Sequence, residues 1–112
     1  MTSRLTAERA AFRRLLSLGN VDVGDLGDRA LAILAYVCER GPNPPSVREI
    51  AVDQGIHVSQ VSRHTAQLRL AGLIERHVAI DDARSTVIKA TVKGRALDSR
   101  IQRIVRAVVQ AA

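Results

Sequence analysis

Two short helical segments joined by a glycine turn constrain the fold of this chain most strongly. The run Ser46-Val47-Arg48-Glu49 is a capping-box pattern, in which the serine and glutamate side chains each accept from the other's backbone amide. It predicts a helix over residues 47–54, which Gly55 ends because glycine readily adopts the left-handed conformation. Ser59 has the residue type of another cap, and it predicts a helix over residues 60–71. This spacing is typical of a helix-turn-helix.

The residue pattern changes after Gly72, which ends the second helix. Residues 73–80 and 86–91 are rich in β-branched side chains, and the segment 81–85 between them is turn-forming. The sequence therefore predicts a hairpin, which would be the wing of a winged helix-turn-helix.

Apolar residues at helical spacing predict three flanking helices. They cover residues 2–18, 25–40 and 92–109. The expected fold is mostly α with a small β-hairpin wing, in the order α-α-α-α-β-β-α. We interpret residues 1–112 as a single domain, in which residues 1–40 and 92–112 supply core and dimerisation surfaces.

Composition favours a polyanionic partner. The 112 residues carry a net charge of +6 and a pI near 11.0, as expected for a protein that binds nucleic acid. Phe12 and Tyr36 are the two aromatic residues, too few to stack the bases of a single strand, so duplex DNA is the expected ligand. No apolar run is long enough to span a bilayer and the N-terminus lacks a signal peptide's apolar region, so we expect a cytoplasmic protein without a membrane partner.

The helix predicted over residues 60–71 has an inward face of Val61, Thr65 and Leu68 and an opposite polar face. Arginine can bind guanine and glutamine can bind adenine bidentately, each pair discriminating by about 1–3 kcal/mol. No acidic residue occurs between Gln54 and Ile74. A solvated helix face and a simple cap at Ser59 are the alternatives. The predicted DNA-binding residues are Ser59, Gln60, Ser62, Arg63, His64, Gln67, Arg76, Arg84 and Lys89.

The predicted wing tip has its own arrangement. Arg84 could enter a minor groove, where sequence-dependent narrowing raises the negative potential, and Asp82 could orient it through an ion pair. The alternative is an Asx-type turn with a solvated arginine.

Apolar stripes on the flanking helices are candidates for dimerisation, although such stripes also form intramolecular cores. The residues predicted for dimerisation are Leu5, Phe12, Leu16, Leu97, Ile101, Ile104 and Val108.

Other chemistry has little support in the sequence. The three histidines lack the spacing of zinc ligands, and no recognisable nucleophile with its base, paired carboxylates or phosphate loop occurs, so we expect no metal, no cofactor and no enzymatic activity. Cys38 lies on an apolar stripe, where a buried free cysteine is the ordinary expectation. A small-molecule effector is not predicted, because so few aromatic residues would build a poor pocket.

Residues 55–76, GIHVSQVSRHTAQLRLAGLIER, and 81–94, DDARSTVIKATVKG, resemble the winged helix-turn-helix of the MarR family of transcriptional regulators. The family's S-x-V-S-R pattern falls on Ser59 to Arg63, its wing D-x-R on Asp82 and Arg84, and its Thr-x-x-Gly on Thr91 to Gly94. His64, Ala83 and Ala90 depart from the family's usual residues.

The resemblance implies a homodimer on a pseudo-palindromic operator, usually a repressor, with helix 59–71 in the major groove and wing 80–86 in the minor groove. Two alternatives stay open. One is an accessory DNA-binding protein of a mobile element, serving recombination, replication or packaging. The other is a winged helix that binds protein.

Overall fold

A computed structural model describes the backbone of residues 4–78 and 86–111, and the side chains of the same ranges from residue 10 onward. Five helices and one antiparallel hairpin confirm the predicted mostly-α winged fold and its order of elements. Predicted wing residues Asp82 and Arg84 lie outside the described residues. The elements are α1 (Arg4–Leu18), α2 (Asp28–Arg40), α3 (Val47–Gln54), α4 (Val58–Leu70), β1 (Ile74–Val78), β2 (Thr86–Ala90) and α5 (Val92–Ala111).

The starts of α2 and α4 differ from the prediction. Helix α2 begins at Asp28 instead of residue 25, because Gly27 is its N-cap, with extended backbone, and the Asp22 carboxylate already accepts from Gly24 N in a separate turn. Helix α4 begins at Val58, two residues before the predicted start. Each start lies directly after its N-cap residue, Gly27 for α2 and His57 for α4, and the spacing of apolar side chains does not indicate either cap.

The chain forms two compact units, one made of residues up to Asp25 together with those from Ser99 onward, the other of Leu26–Asp98. The second unit holds α2, α3, α4 and both strands. Its core comes from one apolar face of each element, which is why the amphipathic spacing predicted it. Fully buried core side chains of this unit are Ile33, Leu34, Ile50, Val61, Leu68, Ile74 and Ile88.

Thr65 places a polar side chain inside this core. Its hydroxyl donates to Val61 O at 2.8 Å and to Ser62 O at 3.1 Å, so the buried group is satisfied within its own helix. The position can therefore face inward, as the sequence predicted.

The small sheet has one more connection than the predicted hairpin. Strands β1 and β2 pair antiparallel, with Arg76 opposite Ile88. In addition, Ser46 forms an isolated bridge with Val87, and Ile88 N donates to Pro45 O at 2.9 Å. The connector before α3 thus lies along the outer side of β2, which ties the helix-turn-helix to the hairpin.

Helix α3 begins as predicted and is tied to the end of α2. Ser46 Oγ accepts from Glu49 N at 3.1 Å, and Glu49 Oε1 accepts from Ser46 N at 3.3 Å. The second carboxylate oxygen lies 2.6 Å from Arg40 Nη1. The Arg40 guanidinium, followed by the Ser46 amide, lowers the pKa of Glu49. The capping-box glutamate therefore serves two elements at once.

The first unit joins α1 to the later part of α5. Leu16, Val21 and Ile101 are buried in it. Gly19 lies against the Ile104 side chain, and Arg100 Nη2 donates to Asn20 O at 2.8 Å. Among the described helices, none combines the length and apolarity that a bilayer crossing requires.

Candidate nucleic-acid interface

His57 caps α4, and the predicted cap at Ser59 is wrong. His57 Nδ1 accepts from Ser59 N at 3.2 Å and lies 2.9 Å from Ser59 Oγ. Gln60 Oε1 in turn accepts from His57 N at 3.0 Å. Histidine is not among the residue types that favour this position, so the serine two residues later was the stronger sequence signal. Ser59 itself is exposed within the first turn of the helix.

This cap changes what Gln60 can offer to a base. Bidentate binding of adenine needs both the carbonyl oxygen and the amide group of the side chain. Because Gln60 Oε1 already accepts from His57 N, this bond fixes the side chain near the cap and competes with a bidentate contact to adenine. Gln60 is therefore first a capping residue.

The outward face of α4 still carries two side chains that can read bases. Arg63 and Gln67 are exposed, and neither has a hydrogen bond to another described residue. His64 is half-buried, and its Nδ1 is buried without a partner within residues 4–78 and 86–111. Ser62 is also half-buried. Val61, Thr65 and Leu68, at 0% exposure, hold the opposite face in the core and so fix which face of α4 points outward.

The two described wing cations lie on opposite faces of the hairpin. Lys89 pairs in register with Glu75, and Arg76 pairs with Ile88. Directly opposed residues share a face and neighbours along a strand alternate, so Lys89 and Arg76 point to different sides. Glu75 Oε2 also lies 3.0 Å from His77 Nε2. One flat surface cannot contact both predicted wing cations of the described strands.

The end of α4 is fastened to the start of α5 through three successive carbonyl groups. Lys93 Nζ donates to Ala71 O at 2.9 Å, Thr91 Oγ1 to Gly72 O at 2.6 Å, and Thr91 N to Leu73 O at 3.0 Å. Thr91 Oγ1 also accepts from Gly94 N at 3.0 Å, which caps α5. Thr91 of the Thr-x-x-Gly motif thus connects the end of α4 to the start of α5 through hydrogen bonds. The positive charge of Lys93 offsets the partial negative charge at the C-terminus of α4.

Arg29 binds the C-terminal end of α3, at the turn inside the helix-turn-helix. From the first turn of α2, its Nη1 donates to Gln54 O at 3.2 Å and approaches Gln54 Oε1 at 3.3 Å. The first of these oxygens is a last-turn carbonyl of α3, which has no partner within its helix. Gly55 follows with φ of 64°, the left-handed conformation expected at the turn. The conformation of the turn before α4 is therefore stabilised by the hydrogen bond from Arg29 and by the left-handed backbone of Gly55.

A cleft of about 340 Å³ lies between the end of α2, β2 and the start of α5. Cys38 lines it together with Lys89 and Arg95. Burial, and then the charge of Asp98, raise the pKa of the Cys38 thiol to about 11. The thiol is consequently protonated at neutral pH and a poor nucleophile. Within the described part of the chain, no three histidine, cysteine, aspartate or glutamate side chains form a metal-binding group.

Solved structures of similar fold are regulators from several organisms. The Staphylococcus aureus MepR–DNA complex matches with a TM-score of 0.75 at 19% identity, over 96% of this chain and 83% of that chain. BldR, a transcriptional regulator from Sulfolobus solfataricus, matches with a TM-score of 0.74 at 21% identity, over 94% and 70%. A MarR-family transcriptional regulator from Rhodococcus sp. RHA1 matches with a TM-score of 0.73 at 25% identity, over 93% and 69%.

No sequence among the curated proteins matches this chain significantly. The sequence model of the MarR family matches residues 24–85, which is more than half of the chain and includes the whole helix-turn-helix. The fold is that of the DNA-binding transcription regulators of this family. The chain belongs to the MarR family.

Proposed function

We propose that this protein is a sequence-specific regulator of transcription that binds duplex DNA and has no enzymatic activity. The outward face of α4 carries the proposal: Arg63 and Gln67 are exposed without a partner among the described residues, on a helix that has no acidic side chain. Such a face can enter a major groove and bond base edges. Its similarity to MepR, whose solved structures include a DNA complex, supports the same proposal.

In this proposal the first turn of α4 approaches the DNA backbone while Arg63 and Gln67 read bases. Ser59 and the amide group of Gln60 lie at the helix N-terminus, which attracts phosphate. Lys89 and Arg76 can contact phosphates on different sides of the hairpin. We propose that Arg84 enters the minor groove and that Asp82 orients it.

We also propose a homodimer on a pseudo-palindromic operator, acting as a repressor. Two copies of one recognition helix require two half-sites related by the symmetry of the protein. The exposed apolar side chains of the first unit, Leu18, Val108 and Val109, offer surface to a second copy. Leu16 and Ile101 are 1% and 6% exposed, so they contribute to the core of the chain and offer little surface to a partner.

The first experiment selects bound fragments from sheared genomic DNA of the source organism at physiological salt, followed by sequencing. Inverted repeats that overlap promoters would support a dimeric regulator and give its targets. Arrays at attachment or origin sites would assign an accessory role in recombination or replication. No enrichment would contradict DNA recognition and direct attention to protein partners.

Arg63→Ala tests base reading directly. We expect affinity for a selected operator to fall by about 1–3 kcal/mol while affinity for random duplex changes much less, because a base contact carries sequence information and a phosphate contact does not. Binding titrations on both DNAs measure the difference, with Arg95→Ala as a control that removes an exposed arginine from α5. Equal losses on operator and random DNA would remove Arg63 from the base-reading role.

A further inference from the structure

Net charge is unevenly divided between the two units of the chain. The sequence of the first unit carries seven basic and three acidic residues, whereas Leu26–Asp98 carries ten basic and eight acidic residues. The unit without the helix-turn-helix therefore has a net charge of +4, against +2 for the unit that contains it. If DNA contacted only α4 and the wing, most of the net positive charge would make no contact with the DNA.

Three arginines of the first unit lie on one side of α5. Arg100, Arg103 and Arg106 are spaced three residues apart, so they cover roughly 120° of the helix circumference. All three are exposed, and no acidic residue occurs in α5 after Asp98. We call Arg100, Arg103 and Arg106 the arginine face.

Two of these side chains have no internal role among the described residues. Arg100 Nη2 donates to Asn20 O at 2.8 Å, which holds α5 to the turn after α1. Arg103 and Arg106 make no hydrogen bond or ion pair with any residue in the part of the chain that the structure describes. Their guanidinium groups are thus available for an external anion, with Arg100 beside them in a fixed position.

We propose that the arginine face is a second phosphate-binding surface for duplex DNA, separate from the base-reading face of α4. Arginine binds phosphate bidentately, and a row of arginines without carboxylates attracts a polyanion. This inference rests on the proposed function, since duplex DNA is the partner in both. It goes further by assigning part of the affinity to residues outside the helix-turn-helix and wing.

The packing of the first unit favours DNA over an anionic membrane. A basic amphipathic helix lies on a membrane by inserting its apolar side. Opposite Arg100 and Arg103 the apolar side of α5 is covered by the chain itself, because Ile101 is buried and Ile104 lies against Gly19 at the end of α1. The exposed Val108 and Val109 are assigned to the second copy in the proposed dimer. The arginine face can therefore bind phosphates while the apolar side of α5 is covered by protein.

The test measures duplex affinity as a function of salt for the full-length protein and the double variant Arg103→Gln/Arg106→Gln. Each phosphate contact contributes about 0.9 to the slope of log affinity against log salt. Loss of two contacts should make this negative slope less steep by about 1.8. The ratio of wild-type affinity to variant affinity should therefore fall roughly tenfold between 50 and 200 mM salt. The decrease should be the same on a selected operator and on random duplex.

Three controls keep the result specific. Arg103→Lys/Arg106→Lys keeps the charges and should retain most of the slope, while Arg95→Gln removes one charge from the other unit and should leave the slope unchanged. Thermal unfolding of each variant reports whether the fold persists. Vesicles containing phosphatidylserine, with phosphatidylcholine vesicles for comparison, test the membrane as an anionic partner.

The outcomes separate this inference from the proposed function. Specific binding by the wild type with an unchanged slope in Arg103→Gln/Arg106→Gln would overturn the inference and leave the proposed function standing. A loss of vesicle binding with unchanged DNA binding would overturn it as well. Salt-dependent binding of random duplex that depends on Arg103 and Arg106, without preference for any sequence, would support the inference and contradict the proposed function.

Discussion

Gly94 shows at the scale of one residue why a motif needs its particular amino acid. A Cβ atom at this position would collide with the carbonyl oxygen of Leu73, which is backbone and cannot move aside. We expect Gly94→Ala to lower the free energy of unfolding by about 1–3 kcal/mol, the usual cost of overpacking. Denaturant unfolding measures it.

A matched glycine provides the control for this prediction. Gly27 has open space where a Cβ atom would lie and a φ of −82°, which any residue can adopt. Gly27→Ala should therefore change stability by less than about 1 kcal/mol. Similar losses in both variants would show that the collision at Gly94 is relieved by small movements of the chain.

Cys38 should be unreactive in the folded protein. Burial and the neighbouring Asp98 raise the pKa of its thiol from 9.0 to about 11, so at pH 8 the folded state holds roughly 100-fold less thiolate than the unfolded state. We expect slow alkylation by iodoacetamide that becomes much faster in urea and rises as the pH approaches 11. Asp98→Asn should accelerate the folded reaction, since Asp98 also raises the pKa. Alkylation of the folded protein as fast as in urea would contradict this environment.

Most features whose partners are near in the chain were predicted from the sequence, apart from the histidine cap of α4, and features with distant partners were not. The Ser46–Glu49 cap and the inward face of Val61, Thr65 and Leu68 follow from local spacing, and the structure confirms them. The role of Lys93 was not foreseeable, because its partner carbonyl is 22 residues earlier.

The start of α4 is an element whose boundary depends on an unusual residue. His57 Nδ1 holds the amide of Ser59, so His57→Ala should cost about 1 kcal/mol of unfolding free energy, as loss of a cap usually does. His57→Ser supplies a preferred cap and should retain the stability of the wild type. Circular dichroism during denaturation compares the two variants. Equal stability of the alanine and serine variants would show that the helix start does not depend on this cap.

Pairing between elements was the least predictable feature at this scale. The hairpin followed from β-branched residues around a turn, but the contact of the connector with β2 did not. The pairing depends on the Pro45 carbonyl, which is brought to Ile88 by the packing of the second unit, and no local residue pattern indicates such a contact. The positions of Arg76 and Lys89 on opposite faces likewise required the observed register.

Whole molecules should associate through the exposed apolar side chains at the end of α5. Sedimentation should show a dimer at micromolar concentration, and Val108→Lys/Val109→Lys should dissociate it, since both valines are exposed on α5 and a charge opposes burial in an interface. Val78→Lys changes an equally apolar exposed side chain on β1 and should leave the dimer intact. A wild-type monomer, or a dimer that survives the double substitution, would contradict this interface.

The small sheet also bears on how whole molecules avoid sticking to one another. Unpaired strand edges recruit further strands, and proteins protect them with proline or charge. One side of this sheet is bordered by the connector before α3, where Pro45 O accepts from Ile88 N and neither Pro45 nor the preceding Pro44 has an amide hydrogen to donate. The other side is β1, with exposed Glu75, Arg76 and His77. The connector that completes the sheet therefore also protects it, and replacing its prolines would expose the protein to aggregation through strand addition.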